Sequence, residues 1–292
     1  MTDIPLGNPD YWPAPAKLNL FLHIVGRRAD GYHLLQTAFQ FIDLCDELRF
    51  YQRPAAVIER KSGPQEVDPE HDLVVRAARM LAAHARHTSG VAIELIKRIP
   101  MQAGLGGGSS DAATVLVALN QLWSLNLTVD QLAVMGLKLG ADVPVFVRGQ
   151  AAWAEGVGEQ LWPLDFPEHH YLVIQPPVSV STAAIFQASE LTRDTPVTTI
   201  RAFRAGDGHN DCTKVVCSRY PEVAQALDWL GQYGDARLTG TGACIFAALP
   251  NREQAAHILA QLPAEIGRGF VVKGLNRSPL LSRLRRERVP HE

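Results

Sequence analysis

Pro100-Met101-Gln102-Ala103-Gly104-Leu105-Gly106-Gly107-Gly108-Ser109-Ser110-Asp111-Ala112-Ala113 is the stretch on which the reading of this chain turns. A strand-like segment, Val91 to Lys97, leads into it. Beyond it an apolar series, Val115, Leu116, Leu119, Leu122 and Trp123, predicts a buried helix from about Asp111 to Trp123. Four glycines in five positions, 104 to 108, let the backbone take left-handed conformations and bring its N–H groups close to a ligand. Ser109, Ser110 and Asp111 carry side chains suited to capping a helix N-terminus, where unpaired N–H groups and the helix dipole attract anions. Two readings of the stretch stand: a phosphate cradle aimed by a buried helix, or a plain glycine-rich connection.

Several known phosphate and nucleophile loops do not fit. A P-loop ends in Gly-Lys-Ser/Thr, and no lysine follows these glycines. A dinucleotide fingerprint needs a third glycine where Ser109 stands and an acidic residue about 20 positions on. The nucleophile elbow Gly-x-Ser-x-Gly fails because Asp111 takes its last place, and the His-Arg-Asp and Asp-Phe-Gly signatures of protein kinases are missing.

Outward from the loop, the N-terminal side reads Pro15-Ala16-Lys17-Leu18-Asn19-Leu20-Phe21-Leu22-His23-Ile24-Val25. Leu18, Leu20, Leu22 and Ile24 alternate with Lys17, Asn19, Phe21 and His23, which predicts a strand with one buried face. Lys17 and Asn19 share the opposite face about 7 Å apart, and on spacing alone Lys17 reads as an ordinary solvated lysine. Asp30-Gly31 is a turn signal, and the aromatic pair Tyr32-His33 behind it reads as packing unless other residues place it at a site. Phe39 to Tyr51 is strand-rich, and Arg60 to Asp68 is a loop. Asp72 caps a helix running to about Arg86. On the C-terminal side, Thr128-x-x-Gln131 is a capping box whose helix ends at Gly140. Asp142 then stands in Gly140-Ala141-Asp142-Val143-Pro144-Val145-Phe146. A carboxylate among such neighbours is costly to bury alone, so Asp142 either caps a short turn or meets a cation.

A second half begins near Tyr171. It holds an apolar strand (Leu172 to Gln175), a capped helix start at Ser181, and an irregular polar stretch, 192 to 209. Asn210-Asp211-Cys212 opens a helix, and an amphipathic helix follows from Pro221. A second glycine turn, Leu238-Thr239-Gly240-Thr241-Gly242, runs into a strand. A further helix and strand complete an α+β pattern. The basic segment Ser282 to Arg288 reads as a solvated helix end. The division expected is 1–165 and 166–292.

Composition bounds the class. With 292 residues, 47% of them hydrophobic, and a net charge of −2, the chain has the make-up of a soluble globular protein. It has no electrostatic footprint for nucleic acid. No apolar run approaches the roughly 18 residues of a membrane span, and the first residues lack the pattern of a signal peptide. The scattered Cys45, Cys212, Cys217 and Cys244 suggest a reduced, cytoplasmic chain without a disulfide framework or zinc site.

The phosphate stretch, with its proline and its run into the helix, resembles the galactokinase–homoserine kinase–mevalonate kinase–phosphomevalonate kinase superfamily. Pro15 to Leu22, Arg27 to Gln36 with Asp-Gly-Tyr-His, Gly140 to Pro144, Ala154-Glu155-Gly156-Val157-Gly158, Asn210-Asp211-Cys212 and Leu238 to Cys244 extend the likeness from about residue 13 to 276. They narrow it to the family that phosphorylates a diphosphocytidyl derivative of methylerythritol. The resemblance implies a two-domain α+β fold, with a left-handed βαβ unit first and a ferredoxin-like domain second. It implies ATP as phosphoryl donor, Mg²⁺, and transfer to a tertiary 2-hydroxyl in non-mevalonate isoprenoid synthesis. By position it makes Asp142 the base and Lys17 its partner. Pro100 to Ser110 become the ATP phosphate loop, and Asp72, Leu73 and Lys97 fall at adenine. Tyr32 and Phe186 would sandwich cytosine, with His33 on its edge and Asn19, Val157 and Thr182 in the same pocket. Asp72 departs from the asparagine common there and offers adenine no donor. No metal ligand set is evident; Ser110 and ATP oxygens would hold Mg²⁺. The partner expected is a small cytidine diphosphate derivative, with neither nucleic acid nor membrane, for a monomer or weak homodimer. Rival readings are a nucleotide-binding module without catalysis, against which Lys17 and Asp142 together argue, and a sister kinase acting on a sugar or amino alcohol.

Overall fold

A computed structural model describes residues 3–54, 56–86, 88–204 and 206–288. Long segments rich in leucine and aromatic residues open the chain as β1 (Trp12–Arg27) and β2 (His33–Arg53), an antiparallel pair. Next come β3 (Ile58–Ser62), α1 (Leu73–Ala85) and β4 (Gly90–Ile96); β3 and β4 are parallel neighbours joined through α1 as a βαβ unit. The phosphate stretch leads into α2 (Gly107–Leu122). Then follow α3 (Val129–Leu137), α4 (Val143–Arg148) and the hairpin β5 (Ala152–Glu155) with β6 (Gln160–Pro163).

The second half runs β7 (His170–Gln175), α5 (Thr182–Phe186), α6 (Ile200–Arg204), α7 (Thr213–Arg219) and α8 (Pro221–Gly231). It continues with β8 (Arg237–Leu238), β9 (Ile245–Leu249), α9 (Arg252–Leu259), β10 (Arg268–Leu275) and α10 (Pro279–Arg288). Its strands lie antiparallel in the order β10-β7-β9-β8, fourth-first-third-second, the split arrangement of ferredoxin-like domains. Gly274 and Leu275 of β10 also pair with Ile42 and Phe41 of β2, so the sheets of the two halves meet at that strand.

Burial explains where the loop points. Ala112, Val115, Leu116 and Leu119 of α2 are wholly enclosed, in a cluster with Val74, Ile93, Val145 and Phe146. A second cluster, including Leu172, Ile174, Val215 and Ile245, fills the other half. A helix enclosed on most sides cannot shift along its axis without opening packed contacts, so its N-terminus is a fixed point.

Four expectations are corrected. Both faces of β1 are buried, Lys17 and Asn19 included, because the second glycine turn and His209 lie over the polar face: Asn19 N donates to Thr239 Oγ1 (2.9 Å) and Leu22 N to His209 O (2.9 Å). The helix begins at Gly107 rather than near Asp111. Its N-cap is the left-handed Gly106, with no side-chain cap, and Ser109, Ser110 and Asp111 lie within its first turns. The polar stretch 192–209 contains the short α6. The basic end is solvated on one side only, where Ser282, Arg285, Arg286 and Arg288 are exposed. Arg283 is buried over the Trp12 ring at 4.4 Å and pairs with Glu287, seating α10 on the first half.

Candidate active site

β1 carries Lys17 into the interior, and a buried ammonium needs partners. Its Nζ lies 3.4 Å from Asp142 Oδ2, donates to Gly104 O at 2.9 Å, and donates to Asn19 Oδ1. Asp142 occupies the N-cap position of α4 without making a side-chain cap bond, so of its two readings the structure holds the ion pair. The Lys17 side chain is 3% exposed and that of Asp142 34%, which leaves the carboxylate open on its far side.

The phosphate stretch wraps around this pair. Gly104 has φ +76°, and a Cβ there would lie 2.2 Å from Thr239 O; Gly106 has φ +73°, and a Cβ there would press on Phe146 and Lys17. Neither position admits a larger residue without moving its neighbours. The second glycine turn clasps the first: Cys244 N donates to Ala103 O (3.1 Å) and Thr239 Oγ1 to Gly104 O (3.3 Å). Asn210 Nδ2 holds that turn through Leu238 O and Gly240 O, at 2.9 and 2.8 Å. The first N–H groups of α2, from Gly107, Gly108 and Ser109, have no carbonyl a turn earlier to bond, and with the helix dipole they form an anion site.

Under the loop lies a buried charge cluster. Lys97 Nζ pairs with Asp46 and, at 2.7 Å, with Asp111; Asp46 Oδ1 accepts from Arg98 N (2.6 Å) and Ile99 N (2.8 Å). Burial pushes the Asp111 carboxyl well above the usual carboxylate range, with Lys97 opposing. Burial also works against the charge of Lys97, but Asp111 and Asp46 outweigh it and raise its pKa. Asp72 is likewise spoken for: Oδ1 caps α1 at Val74 N (3.0 Å), and Oδ2 pairs with Arg60, whose other amino group holds Pro64 O and Val67 O, each at 2.8 Å.

The opposite end is made of rings in a loop (Tyr32) and at the ends of β2 (His33) and α5 (Phe186). Tyr32 is 63% exposed. His33 stacks on Phe186 with centroids 5.0 Å apart and planes 23° apart, so the nearest ring to Phe186 is His33 rather than Tyr32. Thr182 Oγ1 and Thr241 Oγ1 are hydrogen bonded at 2.8 Å, and Val157 N donates to Glu159 Oε2 at 2.6 Å. The His33 pKa is lowered by burial first, then by the charges of Arg193 and Arg27.

All of these regions open onto one cavity of about 1040 Å³. The predicted site residues line it with two exceptions: Leu105 is enclosed in the core, and Ser110 is buried in α2. Sequence reasoning missed Asp46, Arg60, Arg193, Thr239 and Thr241. The Leu238 to Cys244 motif was a signal for the two threonines; nothing local marks the other three.

Residues 72–150 match the model of the GHMP kinases N terminal domain, and residues 199–268 that of the GHMP kinases C terminal domain. A 4-diphosphocytidyl-2-C-methyl-D-erythritol kinase of Nitrosococcus oceani is 57% identical over 270 residues, covering 92% of this chain and 96% of that protein. The crystal structure of a 4-(cytidine 5'-diphospho)-2C-methyl-D-erythritol kinase superposes with a TM-score of 0.78 at 33% identity, covering 90% of this chain and 98% of the other. A mevalonate kinase structure shares the fold, with a TM-score of 0.69 at 16% identity over 91% of this chain and 99% of the other.

Proposed function

The chain belongs to the GHMP kinases, and on that premise we propose how it carries out the phosphoryl transfer that its relatives are named for. It is an ATP-dependent kinase acting on 4-diphosphocytidyl-2-C-methyl-D-erythritol. It phosphorylates the 2-hydroxyl to give the 2-phosphate and ADP, in non-mevalonate isoprenoid precursor synthesis.

The observation that carries the residue assignments is the Lys17–Asp142 pair at the mouth of α2, with Lys17 also bonded to the loop carbonyl of Gly104. Phosphoryl transfer through a loose transition state needs positioning and charge stabilisation more than covalent help. The N–H groups of residues 104–110 grip the phosphates of ATP, and the dipole of α2 favours their charge. Asp142 accepts the hydrogen bond of the 2-hydroxyl, orients its oxygen toward the γ-phosphorus and takes its proton as the bond to phosphorus forms. Lys17 holds that carboxylate in place and stands beside the phosphoryl group as it moves.

Asp72, Leu73 and Lys97 form the adenine end. There Asp72 lines the cavity while its oxygens cap α1 and pair with Arg60. Tyr32, Phe186 and His33 receive the cytosine, with Asn19, Val157 and Thr182 beside it. Among the described residues no group of three or more His, Cys, Asp or Glu could hold a metal, while the buried Ser110 Oγ has no partner. That hydroxyl is enclosed in α2 and does not line the cavity, so it does not fit a metal ligand here; Mg²⁺ held by phosphate oxygens and water would neutralise charge on the phosphates.

The division is a phosphate-loop domain, 1–165, and an α+β domain, 166–292, each with most of one hydrophobic cluster, while Leu280 of α10 joins the first cluster and Leu22 and Ile24 of β1 the second; residues 1–2 and 289–292 lie outside the described ones. No helix among the described residues is long and apolar enough to cross a membrane. The reading takes the enzyme as cytoplasmic and as a monomer or weak homodimer. A steady-state assay with ATP, Mg²⁺ and the diphosphocytidyl substrate, set against mevalonate, homoserine and galactose, tests it. Turnover of the cytidylated compound alone is expected, and a higher kcat/KM for any of the others would overturn it.

A further inference from the structure

Arg193 does not line the cavity, yet it grips both walls of the base end. Its guanidinium donates to Leu191 O (3.0 Å), Phe186 O (3.1 Å) and Ala188 O, fixing the turn that follows α5, and its Nε donates to His33 Nε2 at 3.1 Å. A guanidinium has donors and no acceptor, and it stays protonated at any ordinary pH. His33 Nε2 must therefore present its lone pair. The burial and cationic neighbours that lower the His33 pKa keep the ring neutral near pH 7. A neutral imidazole with a lone pair on Nε2 carries its proton on Nδ1. Among the described residues Nδ1 has no hydrogen-bond partner, and it is not enclosed.

We propose that Arg193 is a positioning residue for the choice of pyrimidine: by occupying Nε2 of His33 it locks the ring as an Nδ1–H donor, which suits a cytosine and rejects a uracil. The two bases differ at ring N3, a bare acceptor in cytosine and an N–H in uracil. A donor aimed there meets a lone pair in the first case and a second hydrogen in the second, leaving two donors facing each other unpaired. Without Arg193 the ring is free to move its proton to Nε2 and offer Nδ1 as an acceptor, the pattern uracil needs. The role lies in the contact between the guanidinium and the ring, 160 residues apart in the chain, and it rests on the cytidine reading given above.

The test compares kcat/KM for the cytidine and uridine diphosphate derivatives of methylerythritol in the native enzyme, Arg193→Met and Arg193→Lys. The native enzyme is expected to favour the cytidine compound. Arg193→Met should lower that ratio by about tenfold or more, the scale of one mismatched hydrogen bond. Arg193→Lys, which keeps a donor, should restore part of it. A merely structural arginine would raise KM for both compounds alike and leave the ratio unchanged, and that result overturns the proposal alone. A native enzyme that turns over neither compound overturns the cytidine reading and the proposal with it. ¹⁵N NMR of the His33 ring in the native enzyme reads the tautomer without reference to activity: a protonated Nδ1 is expected, and a protonated Nε2 contradicts it.

Discussion

The two ends of the cavity are built from different materials. At the proposed phosphoryl end the cavity meets backbone amides at the start of an enclosed helix, braced by an ion pair with the buried Lys17 and by a second glycine turn. At the proposed base end they are rings in a loop or at element ends, the exposed Tyr32 and, at the ends of β2 and α5, His33 and Phe186, steadied by a guanidinium from elsewhere in the chain. The difference follows from what each end has to do. A phosphoryl group in flight is stabilised by groups that do not move, and backbone in a packed interior is the stiffest material a protein has. A base is told from another base by the placement of a few donors and acceptors, which side chains supply. The contrast predicts that substitutions at the first end strike turnover and stability, while those at the second strike affinity.

The largest expected effect is on turnover. Asp142→Asn keeps the shape of the phosphoryl end and removes the proposed base, so kcat should fall by about 10²–10⁴-fold, with some loss of stability because the buried Lys17 loses its counter-charge and keeps only Gly104 O and Asn19 Oδ1. Near-normal turnover would move the base to another residue. Next comes stability. Asp46→Ala strips a wholly enclosed carboxylate from Lys97, which keeps only Asp111, and leaves the N–H groups of Arg98 and Ile99 without their acceptor. Urea unfolding should show a loss of about 3–5 kcal/mol. An unchanged midpoint would mean that the braced end is no stiffer than the other. The smallest effect falls at the base end, where Tyr32→Ala and Phe186→Ala should each weaken substrate binding by about 1–3 kcal/mol, by analogy with bases stacked in single strands, with little change in stability. Unchanged affinity in both variants would remove the cytosine from between those segments.

The same contrast explains what could be read from the residues in a row. Gly104 to Asp111 and Asp142 were legible because helix entry, left-handed turns and a lone acidic residue among apolar ones leave local marks. The exact start of α2 was not, since two glycines at a helix start look like loop until the packing of the helix is known. Lys17 looked solvated because alternation reports one covered face of a strand and says nothing of a second half of the chain folding over the other. Asp46 meets Lys97 across 51 positions and Arg193 meets His33 across 160, contacts that no local pattern encodes. Asp72 was legible as a helix cap, but its partner Arg60, twelve residues earlier across a loop, was not.

The central claim is tested most directly by the crystal structure of a ternary complex with a non-hydrolysable ATP analogue and the diphosphocytidyl substrate. The account predicts the γ-phosphoryl group between residues 104–110 and Lys17 Nζ, with the substrate 2-hydroxyl oxygen about 3 Å from an oxygen of Asp142. A triphosphate lying along another wall, or a hydroxyl beyond hydrogen-bond reach of that carboxylate, would contradict it.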